Sequence, residues 1–257
     1  MQKRGQVAVF VVIGIVIVIL AVLLFVGRKE YGIGVPNLRF LSDKLQPIED
    51  NARNCVDLSV IKTFDTFAKQ GGDLNPSRYV FHQSRKVKYL CYNIQDSDKC
   101  INMMPPLNLM LENLQSELNN DIKNCVSKDL TQNGFGYEVK VNGEPETKLN
   151  VVGNDLRVVV NYDVEVIKGE NLQKLSKIEK SLDIPLVELY NTALDVVNSH
   201  ASTGFFEQLF YMLDKKGKYV INVDKSPSLG NVGDIIYRIN KKDSDFEFWF
   251  AVEGDNE

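Results

Sequence analysis

Cysteine is the residue type in this sequence with the most readily assigned chemistry. Thiols either ligate a metal or oxidise to disulfides, and four are present: Cys55, Cys91, Cys100 and Cys125. Structural zinc sites usually place ligands two to four residues apart, and no Cys-x-x-Cys pair exists here. The spacing therefore predicts disulfides and no metal site. Four reduced core cysteines are the alternative if this part of the chain lies in a reducing compartment.

Four cysteines allow three disulfide connectivities, and the sequence alone does not choose among them. Cys55 and Cys125 both fall on the apolar stripe of a predicted helix, so one disulfide would join two packed helices. Cys91 and Cys100 enclose a polar segment that a second disulfide would close into a loop. We therefore favour the pairs Cys55–Cys125 and Cys91–Cys100.

Histidines and paired acids are the other candidates for chemistry. His82 ends a predicted strand and His200 follows a predicted helix, so both are expected to be solvated or capping residues. The pairs Asp96/Asp98 and Asp243/Asp245 offer oxygen ligands, but neither continues into a calcium-binding loop. No nucleophile elbow and no phosphate-binding loop is present. We predict no catalytic residue, no cofactor and no metal, and hence not an enzyme.

The cysteines are carried by a predicted pair of helices with a hairpin between them. Apolar residues recur every three or four positions in Pro47–Gln70 and in Pro106–Leu130. Gly71-Gly72 is expected to stop the first helix in a left-handed conformation. Aromatic and β-branched residues predict strands over Arg78–His82 and Val87–Asn93.

The later part of the chain predicts a mostly antiparallel sheet with one or two helices packed on it, so the fold class is α+β. Leu156–Ile167 alternates apolar and polar residues, as a strand with one buried face does. A hairpin is predicted through Asn142–Pro145, and Asn171–Ile184 is assigned to a strand although its spacing also fits a helix. The remaining predicted elements are helices over Leu186–Ser199 and Phe205–Leu213 and strands over Phe135–Val141, Thr147–Val152, Lys218–Val223, Asp234–Ile239 and Phe246–Val252.

The first 29 residues predict a membrane anchor. Val7–Val26 is an uncharged apolar run, and about 20 such residues span a bilayer as a helix. No small-x-small cleavage site follows it. The predicted organisation is an anchor over 1–29, a tether over 30–46, a disulfide-stapled helical subdomain over 47–133 and an α+β subdomain over 134–257. Because the cysteines all follow the run, we expect a cytoplasmic N-terminus and an exterior domain.

The net charge limits the classes of partner that the exterior domain is expected to bind. The chain of 257 residues has a formal charge of −4. The first 29 residues hold four basic residues and no acid, so the rest holds 26 basic and 34 acidic residues, a charge of −8. Taken as a whole, this balance argues against binding nucleic acid or anionic lipid. The basic stretch Ser84–Tyr89 is expected to be a solvated strand face.

Two resemblances accompany these predictions. Lys3-Arg4-Gly5-Gln6 before the apolar run resembles the archaeal class III, pilin-type signal, which implies peptidase cleavage between Gly5 and Gln6. That pattern has a glutamate at the position occupied here by Phe10, which argues against filament assembly.

The chain as a whole also resembles a family of single-pass membrane proteins from small-genome archaea. The resemblance lies in short stretches: Gly5-Gln6, Cys55, Gly71-Gly72, Cys125, Pro185-Leu186 and Phe250-Ala251-Val252. The resemblance implies a location in the membrane and an architecture, but no activity. We expect a cell-surface structural or interaction module that contacts lipid through residues 7–26 and a protein partner outside. The alternatives are a pilin-like subunit and an anchored extracytoplasmic enzyme, and the oligomeric state is left open.

Overall fold

The computed structural model describes residues 38–94, 99–132, 138–153, 155–168, 171–226 and 233–254. The predicted membrane segment, the candidate processing site Gly5-Gln6 and the Asp96/Asp98 pair lie outside the described residues. None of the helices in the described ranges is both long enough and apolar enough to cross a membrane.

The described residues form four α-helices and nine β-strands, and the predicted α+β class is confirmed. The helices are α1 (Leu38–Lys69), α2 (Leu107–Gln132), α3 (Leu186–Thr203) and α4 (Gln208–Asp214). The strands are β1 (Tyr79–His82), β2 (Arg85–Tyr92), β3 (Ile101–Asn102), β4 (Glu138–Val152), β5 (Asp155–Lys168), β6 (Asn171–Asp183), β7 (Tyr219–Ser226), β8 (Asp234–Lys241) and β9 (Glu247–Val252).

Helix α1 begins earlier than the sequence pattern predicts. Among the described residues, α1 begins at Leu38 and ends at Lys69. Residues 38–46 therefore belong to the helix, where the sequence predicts part of a tether and a helix start at Pro47. The three- and four-residue apolar spacing continues upstream of that proline through Leu45, Leu41 and Leu38.

Helices α1 and α2 form a cross-linked pair. The disulfide Cys55–Cys125 joins them with a Cα–Cα distance of 5.9 Å, and the Thr63 hydroxyl donates to Asp121 across the pair at 2.7 Å. The facing stripes are buried: Val56, Val60, Phe64 and Phe67 on α1, and Leu114, Leu118 and Ile122 on α2. The left-handed stop is also observed, because Gly71 and Gly72 have φ angles of +72° and +74°.

One sheet is a three-stranded antiparallel meander of long strands in the order β4-β5-β6. The predicted alternation of β5 is confirmed, since its inward side chains are all buried: Leu156, Val158, Val160, Tyr162, Val164 and Val166. The sheet is tied to the helix pair. Asn119 of α2 accepts a hydrogen bond from the Thr147 backbone, and Lys180 of β6 pairs with Asp57 of α1 at 2.8 Å.

The predicted hairpin turn at Asn142–Pro145 is wrong, and the predicted strand at Asn171–Ile184 is right. Both halves of β4 pair with the same strand, since Asn142 lies opposite Asp163 and Glu146 lies opposite Asn161. Residues 143–145 form a bulge, because Gly143 adopts a φ of +83° and Pro145 has no N–H for the ladder. Turn-forming residues therefore interrupt the register here without reversing the chain.

The second sheet has six strands, in the order β1-β2-β9-β8-β7, with β3 also paired to β2. The pair β2–β9 is parallel and the others are antiparallel, so the sheet is mixed. The predicted boundary between residues 133 and 134 separates β2 from β9, yet the two strands share this sheet. β9 is buried at five of its six positions, which is typical of a central strand covered on both faces.

Helix α3 packs on one face of the six-stranded sheet. Its buried side chains recur at helical spacing: Leu186, Leu189, Ala193, Val196, Val197 and His200. Beneath it lie Phe248 and Phe250 of β9 and Ile239 of β8, all fully buried. The second disulfide, Cys91–Cys100, joins β2 to the residue before β3. The two disulfides have the connectivity that the sequence favours.

Candidate functional site

The most exposed apolar side chains of the described chain include four that lie together on and beside α4. Phe205, Leu209, Phe210 and Leu213 are 57%, 65%, 73% and 74% exposed, and we call them the α4 surface. Leu209 and Leu213 are four residues apart and Phe210 and Leu213 are three apart, so they share one face of the helix. Exposed apolar residues scattered singly are ordinary, so the grouping of these four makes the α4 surface a candidate interaction site.

The opposite face of α4 is fastened to the edge of the six-stranded sheet. β7 ends that sheet among the described strands. Gln208 donates to the Ile221 carbonyl at 3.2 Å, and the Ile221 N–H donates to the Met212 sulfur at 3.4 Å. The helix therefore satisfies backbone groups of an edge strand that would otherwise be open to pairing.

A tyrosine of α4 adds a third attachment. The Tyr211 hydroxyl donates to Asp195 of α3 at 2.8 Å, and burial together with this bond raises the pKa of Tyr211 well above its ordinary value. The Phe206 ring contacts the Tyr211 and Tyr237 rings. These three attachments hold the inner face of the short helix, and they therefore fix the outward position of the α4 surface.

Lysines follow the α4 surface directly. Lys215, Lys216 and Lys218 are exposed. Lys215 lies 3.7 Å from the exposed Asp214 carboxylate, and Lys218 pairs with Glu188 at 2.6 Å. Apolar side chains bordered by ammonium groups are characteristic of segments that lie at a membrane interface.

Glu188 organises the charges at this end of the molecule. Its carboxylate accepts from the Lys218 ammonium at 2.6 Å, the Lys241 ammonium at 3.2 Å and the Tyr219 hydroxyl at 3.1 Å. Partial burial opposes ionisation of Glu188, but these three hydrogen bonds outweigh it and lower its pKa to about 2. The cluster connects α3 to β7 and β8, which makes it a structural junction.

Glu188→Gln is expected to lower the free energy of unfolding at pH 7 by about 1–2 kcal/mol, since it weakens hydrogen bonds made to a charged group. The folded-state pKa of Glu188 lies below its ordinary 4.5. The ionised carboxylate therefore stabilises the fold above pH 4.5, and this contribution is lost as the pH falls from 4.5 towards 2. Urea unfolding at pH 7 and pH 3 measures the effect.

The matched control for that measurement is Glu112→Gln, which changes an exposed glutamate on α2. It should leave the unfolding free energy unchanged at both pH values. An equal loss for Glu188→Gln at pH 7 and at pH 3 would contradict the assigned ion pairs.

The prediction of solvated or capping histidines is wrong for His200, and the His82 side chain is only 18% exposed. His200 lies within α3, is buried, and its Nε2 is 2.7 Å from the Tyr237 hydroxyl. Burial raises the pKa of Tyr237. Helical spacing continues to Thr203, which places His200 on the buried stripe of α3. Its contacts are those of a core residue joining a helix to a sheet.

His82 lies beside a charged pair on the other face of the same sheet. Its Nε2 lies 3.3 Å from Asp224 of β7, although β1 and β7 stand at opposite ends of the strand order. The sheet must therefore curl strongly, and the buried Trp249 lies beside His82 within the curl. Asp224 also accepts from Arg238 Nε at 2.9 Å. This carboxylate is engaged by a permanent cation, so the His–Asp pair is better explained as a cross-sheet contact than as a catalytic base.

A cleft of about 390 Å³ opens near the Glu188 cluster. It is lined by Asp183, Pro185 and residues 241–246. Lys241 points to Glu188, and Asp243 and Asp245 are exposed. Across the described ranges, no three histidine, cysteine, aspartate or glutamate side chains are placed to hold a metal ion. The cleft offers mixed charges in open solvent, with no convergent set of ligands.

The α4 surface was missed from the sequence, although a signal for it exists. Residues 205–213 read "FFEQLFYML", in which apolar residues occupy neighbouring positions all round a short helix. One face of a helix cannot bury them all. No sequence signal connects His82, Asp224 and Arg238, because their meeting depends on the curl of the sheet. In comparisons with known proteins, no family model, curated protein or solved structure matches this chain.

Proposed function

We propose that this chain is a membrane-anchored extracytoplasmic protein whose folded domain acts as an interaction module at the cell surface. The observation that carries the proposal is the pair of disulfides, which uses all four cysteines. Disulfides persist in oxidising compartments and are rare in the cytosol. With the apolar run at residues 7–26 as anchor, this supports an orientation with the domain outside the cell.

A binding role is favoured over catalysis by what the described residues expose. The α4 surface exposes apolar side chains to water, which is unfavourable for a domain without a binding partner. The charged groups at Glu188 and Asp224 are internally compensated and connect secondary-structure elements. The exposed α4 surface therefore favours an interaction module, and the Glu188 and Asp224 groups connect elements of the fold.

Thiol labelling of acid-quenched cells tests the location. Cys55, Cys91 and Cys100 are buried, so the chain is labelled with a maleimide in urea, with and without prior reduction, and the thiols are counted by mass shift. The chain should show no reactive thiol without reductant and four after reduction, because it has four cysteines. Four reactive thiols without reductant would place the domain in the cytosol and overturn the proposal. A cytosolic protein with known cysteines, expressed in the same cells, controls for oxidation during the quench.

A pilin-like subunit is the second candidate, favoured by one observation: the Lys3-Arg4-Gly5-Gln6 sequence before the apolar run. The N-terminal sequence of the chain purified from native membranes separates the two. A start at Gln6 supports processing by the pilin-type peptidase and calls for a search for filaments. A start at Met1 supports a plain anchor.

A further inference from the structure

We infer that the α4 surface docks on the lipid bilayer, with Phe205, Leu209, Phe210 and Leu213 among the upper acyl chains and the following lysines at anionic headgroups. The inference rests on the proposed function, since it assigns a partner to the interaction module. It goes beyond anchoring by residues 7–26, because it places a second, folded part of the chain at the membrane.

The apolar contribution comes from the geometry of α4. Gln208, Tyr211 and Met212 attach its inner face to β7 and α3, so the outer face stands away from the sheet edge. Two aromatic rings and two leucines, each more than half exposed, project from this fixed support. Phe and Leu on one face of a short amphipathic segment insert to the boundary between headgroups and acyl chains.

Charge distinguishes a lipid surface from an apolar protein groove as the occupant. Residues 205–218 contain three lysines against Glu207 and Asp214, whereas residues 30–257 together carry a charge of −8. Lys218 is paired with Glu188, so the other charges of this segment balance, and Lys215 and Lys216 border the α4 surface on a domain that is acidic overall. Ammonium groups beside inserted apolar residues meet the negative potential of anionic headgroups. The acidic average of the domain, which argued against lipid from the sequence, does not describe this segment.

Tryptophan quenching tests the inference with the full chain. The chain has one tryptophan, Trp249, which is buried. Phe210→Trp places a second one on the α4 surface, and Leu172→Trp places one at another site that is more than half exposed, 53%, on β6 of the three-stranded sheet. Each protein is reconstituted unreduced into vesicles of phosphatidylcholine and phosphatidylglycerol brominated in the upper acyl chain. We expect about a two-fold loss of the emission added by Phe210→Trp and no loss of that added by Leu172→Trp.

The outcomes separate the inference from the proposed function. A chain that does not float with the vesicles overturns both. A chain that floats, with the Phe210→Trp variant quenched no more than the Leu172→Trp variant, leaves the anchor standing and overturns docking. A third outcome would assign the α4 surface to a contact with a second copy of the chain. In that case the indole of the Phe210→Trp variant is not quenched by bromine but is protected from aqueous acrylamide, and the protection increases with protein density. That result would also overturn docking.

A separate variant tests how much the anionic headgroups contribute to docking. Lys215→Gln combined with Lys216→Gln in the Phe210→Trp chain should lower the docking equilibrium constant about five-fold per lysine in anionic vesicles. In vesicles of phosphatidylcholine alone the same variant should behave like its parent. Lys218 is kept because it pairs with Glu188. An equal effect in both kinds of vesicle would overturn the role assigned to anionic headgroups.

Discussion

Replacing Cys55 and Cys125 together by alanine is expected to lower the free energy of unfolding by about 4 kcal/mol, and the melting temperature by about 10 °C. The disulfide closes a segment of 70 residues, so its loss restores a large conformational entropy to the unfolded chain. It also joins the two helices that support the three-stranded sheet. Urea unfolding of the unreduced proteins, followed by circular dichroism, measures the change.

The second disulfide supplies the matched control. Cys91 and Cys100 are nine residues apart, so the same entropy argument gives about 2.5 kcal/mol for their double replacement by alanine. The expected order is therefore a larger loss for Cys55/Cys125 than for Cys91/Cys100. Equal losses, or the reverse order, would show that the helix pair is held mainly by its apolar contacts.

Gly71→Ala is expected to destabilise the domain by about 2–4 kcal/mol, for two reasons that add. The residue has a φ of +72°, which L side chains rarely adopt, and an added Cβ would lie 2.8 Å from the Lys88 Cβ. That neighbour belongs to β2, whose backbone is fixed between β1 and β9. The new methyl group therefore has no flexible side-chain end to displace. Chemical denaturation of the unreduced variant measures the loss.

Gly204→Ala separates the destabilisation caused by a positive φ from that caused by the close approach of a new Cβ to Lys88. Gly204 has a φ of +86°, but an added Cβ there would meet no atom within 4 Å. This variant should lose only the backbone component, about 1 kcal/mol. If Gly71→Ala and Gly204→Ala were equally destabilised, close packing of the end of α1 against β2 would not contribute.

Local sequence patterns predicted the helices and strands well where one face of the element is buried and the other face is exposed to water. The β5 strand and the α2 stripe are read directly from alternation and helical spacing, because each residue's burial depends on its own position along a regular element. The glycine stop after α1 is equally local. The preferred Cys55–Cys125 pair followed from the same stripes, since two cysteines on facing apolar surfaces are brought together when the helices pack.

Features that depend on distant parts of the chain could not be predicted in this way. Nothing in "KVKYLCY" or "FEFWFAV" specifies that β2 and β9 pair in parallel. The curl that brings His82 to Asp224 is a property of the whole sheet. At Asn142–Pro145 the turn signal was real, but a bulge uses the same residues as a reversal. The exposure of Leu209 and Phe210 became evident only once the inner face of α4 was assigned to the β7 edge.

The central position of β9 affects the order in which the domain can assemble. β9 follows every other described strand in the sequence, yet it lies between β2 and β8. Until residues 247–252 are synthesised, the β1–β2 and β7–β8 hairpins have no strand to join them, and each presents an unpaired edge. Such long-range closure is slow and leaves the partial chain prone to aggregation. Completion of this sheet therefore waits for the synthesis of β9, and a nascent chain needs protection of the β2 and β8 edges until that strand arrives.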